Sequence, residues 1–207
     1  LQATGIYKRD SLGNLQVSLP ALVIGGGLTA IDTATELQAY YVVQVEKTLH
    51  RFERLARRIG REKIWARFDE EEKATLKAWL RHGRAVRAER ASAQAAGRKP
   101  DFSRLVNAWG GVTIVYRRRL QDAPAYRLNH EEIVKALEEG VRFMECMSPA
   151  ECLADEHGHL RAVTFERLRP DAKGKLKGSG EIVELPARAL MVAAGTSPNI
   201  IYEREYP

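Results

Sequence analysis

Six residues, Gly25-Gly26-Gly27-Leu28-Thr29-Ala30, constrain the fold more than any other part of this 207-residue chain. Pro20 opens an apolar run, Ala21-Leu22-Val23-Ile24, that suits a strand buried on both faces. The glycines follow at once, and beyond them Ala30, Ile31, Ala34, Leu37 and Tyr41 fall on one helical face. A G-x-G-x-x-A turn between strand and helix is the context that a dinucleotide fingerprint requires. Gly25 permits the tight turn, Gly27 lets the main chain approach a diphosphate, and Ala30 lets the helix pack close to the strand. The diphosphate would rest on free N–H groups at the helix start, where the dipole is positive.

The rest of the chain alternates in a way that fits this opening. The first helix meets no Gly or Pro before Gly60, which predicts unusual length, with a break near Tyr40. Asp69 predicts a capped helix through Ala96, with Glu70, Glu71 and Glu72 in its first turn. Asp101 predicts a short helix over Phe102–Trp109. After Gly110-Gly111 the period changes to two, and Val112–Tyr116 reads as the second strand, followed by Arg117-Arg118-Arg119. Asn129 predicts the cap of a helix over Glu131–Glu139, and Val141–Met147 a strand. Further strands are expected at Glu151–Asp155, Leu160–Leu168 and Glu181–Leu185, with a turn at Gly158 and a polar loop from Pro170 to Gly180. Ala189–Ala193 is the last strand. Strands alternating with helices imply a parallel sheet. The expected fold is α/β and Rossmann-like, with a β-hairpin arm and a long helical insertion, at about 40–109, between the first helix and second strand.

Charge marks the insertion as a distinct surface. Between Glu46 and Lys99 there are 16 Lys and Arg against 8 Asp and Glu, whereas the remainder carries 17 against 19. Acids at Asp69–Glu72 interrupt the basic stretch, Phe68, Leu76, Trp79 and Leu80 have core spacing, and no nucleic-acid motif is present, so the pattern argues against nucleic acid. No run approaches the ~18 apolar residues of a membrane span, and no signal peptide opens the chain, so a cytoplasmic location is expected. Cys146 and Cys152 fit neither a C-x-x-C pair nor a zinc site and read as reduced thiols. Two thiols fall short of the ~4 that an iron–sulfur cluster takes, so no metal site is assigned. His50, His82, His130, His157 and His159 are scattered and read as surface or capping residues, and no catalytic acid, base or nucleophile stands out.

The choice of nucleotide turns on the tip of the second strand. Sites for NAD and FAD commonly carry an acid there for the ribose. Glu46 lies at the usual spacing from the glycines but inside a helical stretch, whereas the delayed second strand is followed by Arg117 and Arg118. Guanidinium groups bind phosphate in bidentate geometry and stay charged, so the pair favours NADP(H).

Four blocks in this order resemble the NADPH-binding domain of the glutamate synthase small (β) subunit and its relatives, within the pyridine nucleotide-disulfide oxidoreductase family of FAD-dependent oxidoreductases. Leu22–Asp32 is similar to the signature V-x-G-G-G-x-T-A-x-D, and Val112–Arg118 to the strand V-T-x-x-Y-R-R. Pro124-Ala125, Glu131 and Glu138-Glu139-Gly140-Val141 resemble M-P-A…E…E-E-G-V. Ala193–Asn199 resembles A-x-G-x-x-P-N. The resemblance implies an NADPH module set between the halves of an FAD-binding domain of the same polypeptide, with FAD held outside this chain. It implies that Gly25, Gly26, Gly27, Leu28, Thr29 and Ala30 line the diphosphate, that Arg117 and Arg118 hold the adenosine phosphate, and that Ala194 and Gly195 face the nicotinamide. Asp32 matches the signature with either a packing or a ligand role. Residues 1–19 would be a connector from the FAD part, with Ala3-Thr4-Gly5 in a helix end, and 20–207 the NAD(P)H-binding domain. The insertion departs from the family pattern and is expected to dock on another domain or protein. The competing reading is an interaction module, on a degenerate nucleotide fold, that works through the basic insertion.

Overall fold

The computed structural model describes residues 15–195. The expected helix end at Ala3-Thr4-Gly5 and the closing Thr196–Asn199 lie outside the described residues. Two sheets form. Strands β1 (Ala21–Ile24), β2 (Val112–Val115), β3 (Arg142–Met144) and β7 (Ala189–Val192) make a parallel sheet in the order β3-β2-β1-β7. Strands β4 (Met147–Ala154), β5 (Leu160–Pro170) and β6 (Leu176–Pro186) make an antiparallel sheet in that order.

Period two explains the layering. Ala21 and Val23 of β1, with Val112 and Ile114 of β2, join Ala30, Ile31, Ala34 and Leu37 of α1 (Leu28–Ile59) and Ile133 and Ala136 of α5 (Pro124–Glu138) in one core. The alternate residues, Leu22 and Val115, pack with Met147, Val163, Phe165 and Ala187, so the antiparallel sheet covers the opposite face. A four-residue strand sandwiched in this way reads as a continuous apolar run. The architecture is the Rossmann-like α/β fold, and the expected hairpin arm is a three-stranded sheet.

Helix α1 runs for 32 residues without the break expected near Tyr40. Burial holds it through that point: Tyr40 is fully buried and its hydroxyl donates to the Leu15 carbonyl at 2.5 Å, while Gln44 brackets Val17 by accepting from its N–H and donating to its carbonyl. The insertion therefore has no backbone boundary at residue 40. The far half of α1, α2 (Arg61–Trp65) and α3 (Glu70–Ala95) share a satellite core of Leu49, Phe52, Ile64 and Leu80. Asp69 and Glu72 form a reciprocal capping box at the start of α3. Arg87 meets Glu53, and Arg90 meets Glu46, each through two hydrogen bonds. Glu46 is thus a mid-helix ion-pair partner. A short α4 (Ser103–Ala108) follows, with Asp101 accepting from the Ser103 N–H.

Four local expectations are corrected. Helix α5 starts at Pro124, favoured at a first helical position, and Asn129 (φ −158°, ψ 80°) is a kink inside it instead of the cap of a later helix. The strand expected over Val141–Met147 is two strands, because Cys146 takes φ 58° and redirects the chain from one sheet to the other. The segment Pro170–Gly180 is mostly strand: Asp171 closes a tight turn through the amides of Lys173 and Lys175, and β5 and β6 pair up to Pro170 and Leu176. His82 is buried, and is not a surface residue. Its Nδ1 lies 2.7 Å from the Tyr41 hydroxyl and its ring stacks on Trp109.

Two predictions follow from this packing. A Cβ at Gly83 would meet the Val45 carbonyl oxygen at 2.5 Å and the Leu49 Cβ at 2.9 Å, so α1 and α3 touch through that glycine. Gly83→Ala gains ~1 kcal/mol of helix propensity, but pushing the backbones apart costs ~1–3 kcal/mol, and urea denaturation should show net destabilisation. Burial, with Arg81 nearby, pushes the His82 pKa down to about 4. The folded state thus resists the proton that the unfolded chain accepts below ~6.5. Stability from neutral His82 is present above that pH and is lost as pH falls toward 4, by on the order of 2 kcal/mol. His82→Phe should flatten this part of the stability–pH curve, measured by denaturation between pH 7 and 4.

Candidate functional site

Chain reversal after β1 builds the candidate site. Gly25 has φ 158°, and a Cβ there would run into the Ala193 carbonyl oxygen and lie 3.0 Å from the Ala30 Cβ. Its N–H donates to the Val115 carbonyl at 3.2 Å, and the Ala193 N–H donates to Ile24 at 2.7 Å. The turn is therefore wedged between the carboxyl ends of β2 and β7, which is where open α/β sheets bind ligands.

Gly26 is required for a different reason. A Cβ there would fall 2.5–2.6 Å from atoms of the Tyr116 ring, so the ring lies directly against the turn. The Gly26 carbonyl accepts the Ala125 N–H at 3.0 Å, which ties the start of α5 to the same turn. Among the described residues, nothing lies within 4 Å of the position a Cβ would take at Gly27. Gly27 caps α1 with no side-chain hydrogen bond, and the first turn holds no acid. Its carbonyl takes the Ala30 N–H at 3.0 Å, so the turn is closed by main chain alone. Leu28 is half-buried and Thr29 exposed at the mouth of this cradle, and Ala30 is fully buried beneath it. An uncapped helix start with open space over a glycine suits a diphosphate.

Arg117 and Arg118 continue the chain from Tyr116 at this edge. Both are exposed, and neither side chain has a hydrogen bond or ion pair among the described residues. Their main chain is held: the Arg118 carbonyl accepts from the Cys146 N–H and the Tyr116 carbonyl from the Met147 N–H, each at 3.0 Å. The pair thus projects from a fixed segment. Ala194 and Gly195 (φ 101°) are exposed just past β7, one step beyond the Ala193 that touches Gly25. Asp32 is exposed on α1. Cys146 and Cys152 are free thiols, and burial beside Glu145 raises the Cys146 pKa. Tyr116, Ala125 and Ala193 fall inside the motif blocks, but their contacts with the glycine turn have no signal in the sequence, because aromatic packing and main-chain contacts across strands leave no spacing pattern.

No family model matches the chain. It is 34% identical to Uncharacterized protein RP006 of Rickettsia prowazekii (strain Madrid E) over 165 residues, which cover 80% of this chain and 21% of that protein. It is 38% identical to Putative oxidoreductase YgfK of Escherichia coli (strain K12) over 86 residues, 41% of this chain and 8% of that protein. The chain therefore spans about a fifth or less of the length of these curated relatives. Among solved structures, it is similar to Bacillithiol Disulfide Reductase Bdr (YpdA) from Staphylococcus aureus, at 12% identity and a TM-score of 0.39, covering 92% of this chain and 32% of that one. The ferredoxin reductase for the CYP199A2 system from Rhodopseudomonas palustris aligns at 11% identity and a TM-score of 0.39, over 89% of this chain and 26% of that one.

The two inner glycines should respond differently to a methyl group. Gly26→Ala displaces the Tyr116 ring and should cost about 1–3 kcal/mol. Gly27→Ala meets no atom and loses only capping preference, a cost under ~1 kcal/mol. Thermal melts of the two variants without ligand check the order.

Proposed function

We propose that this chain is the NADPH-binding part of an FAD-dependent oxidoreductase resembling the glutamate synthase small subunit, with the flavin held on parts of the protein outside this sequence. One observation carries the reading. Among the described residues, an uncapped, acid-free helix start lies under open space at Gly27, and two arginines whose side chains have no partner leave the adjacent strand tip. The likeness to a relative named as a putative oxidoreductase supports redox chemistry.

In this reading the N–H groups around Gly27, Leu28 and Thr29 bind the diphosphate, while Gly25 and Ala30 set the distance between helix and strand. Gly26 keeps Tyr116 against the turn and so fixes the origin of Arg117 and Arg118. Those guanidiniums bind the 2′-phosphate that distinguishes NADPH from NADH. Ala194 and Gly195 give the nicotinamide end a surface without side-chain bulk. The reduced nicotinamide supplies a hydride for the flavin, and this chain contributes binding and orientation. The basic insertion serves as a dock for another domain or protein.

Titration of the chain with NADPH and NADH, followed by tryptophan fluorescence, tests the proposal. NADPH should bind more tightly. Arg117→Ala with Arg118→Ala should weaken NADPH by roughly 10-fold or more, from the loss of charge-assisted bonds worth ~1.5–3 kcal/mol each, and leave NADH nearly unchanged. Equal losses for both nucleotides would sink the 2′-phosphate assignment. Binding of neither would favour the interaction module.

A further inference from the structure

A second cluster of donor groups lies where the helical insertion meets the antiparallel sheet, on elements that do not form the glycine turn. Glu71 comes from the first turn of α3. Asp155, His157 and His159 come from the turn between β4 and β5. One ligand atom each from Glu71, Asp155 and His159 lies within 4.8 Å of the other two. The two Glu71 oxygens divide between the imidazoles: Oε1 contacts His159 Nδ1, and Oε2 lies 3.7 Å from His157 Nδ1.

The turn is built to present these groups. Asp155 Oδ1 accepts from the main-chain N–H groups of His157 and His159, at 3.0 and 2.9 Å. The Asp155 N–H donates to the His159 carbonyl at 2.8 Å, and Gly158 takes φ 81° between the histidines. Arg188 donates to Asp155 Oδ2 at 2.8 Å, and this contact holds the carboxyl near pKa 2, so it stays ionised. Glu71 is fixed on the other side by the capping box at Asp69 and Glu72. Both halves of the cluster therefore stand on ordered backbone 88 residues apart in sequence.

We propose that Glu71, Asp155, His157 and His159 form a binding site for a divalent transition ion of the zinc class, which staples the insertion to the antiparallel sheet. Two imidazoles and two carboxylates are the nitrogen and oxygen donors that such an ion takes. Ligand bonds of ~2.0–2.2 Å set tetrahedral donors ~3.4 Å apart, close to the His157–Glu71 separation. The His159–Glu71 contact opens on binding, and the half-exposed imidazoles have room to move. The ion takes the place of the imidazole–carboxylate contacts at Glu71. The two carboxylates balance its charge, with Arg188 as an outer partner of Asp155. Glu71, Asp155 and His159 supply three donors, and His157, whose Nδ1 lies 3.7 Å from Glu71, turns inward as the fourth, which closes the shell and makes the role structural. Trp79 and Glu71 line the same cavity, of about 660 Å³, so tryptophan emission reports on the site.

The test uses the full chain, freed of metal by a chelator and titrated with zinc by calorimetry, then with cobalt by visible absorption. The expected result is one zinc per chain, a raised melting temperature, and the absorption of four-coordinate cobalt. Glu71→Gln and His157→Ala with His159→Ala should each weaken zinc by about 10-fold or more and abolish the melting shift. His50→Ala with His130→Ala, on exposed histidines elsewhere, should bind as the parent does. Circular dichroism without metal checks that the variants fold, and His159→Gln replaces the double variant if it does not. Absence of zinc binding would overturn the proposal in favour of an ion pair alone, as would binding that survives loss of both histidines. No nucleotide is present, so the outcome is independent of the coenzyme reading.

Discussion

Strand β1 has a hydrogen-bonded neighbour on each edge, helices over one face and a second sheet over the other. A chain that leaves such a strand toward the helix layer has almost no space in which to reverse. The Ala193 carbonyl stands on one side of the reversal, the Ala30 methyl on another and the Tyr116 ring on a third. Only residues without a side chain pass through Gly25 and Gly26. The cradle at Gly27 is the by-product: once the turn is closed by main chain, the first N–H groups of α1 have no intrahelical partner.

This division separates two meanings of glycine in one motif. Gly25 and Gly26 answer to neighbours within the fold, whereas Gly27 meets no neighbour among the described residues. Arg117 and Arg118 contrast in the same way with the arginines of the insertion. Arg87 and Arg90 are spent on Glu53 and Glu46, exposed pairs that set the register of α1 against α3 more than they stabilise it. The arginines at the strand tip meet no such acid among the described residues.

Much of this was legible in residue order. The apolar run before the glycines, the change of period after Gly111 and the Asp69 cap are local signals, and each produced its element. What failed was decided at long range. The helix continues through Tyr40 because Leu15 and Val17 bond to Tyr40 and Gln44 beside it. The buried His82 depends on Trp109, 27 positions away. The split of the Val141–Met147 strand depends on a positive φ at Cys146, which no propensity anticipates. At the candidate site the glycines and arginines could be read from the sequence. The surface that joins them, Tyr116 against Gly26, could not, since it links two elements separated by the whole insertion.

The unbroken α1 has a mechanical side. At 1.5 Å per residue its 32 residues make a rod ~48 Å long, anchored at one tip by the crowded reversal and braced along its outer half by α3. Such a rod transmits tilt without absorbing it. A swing of ~5° about the anchored tip carries the opposite end through ~4 Å for a rod of that length, so a strain too small to disturb the sheet becomes a displacement on the scale of an atomic contact at the periphery.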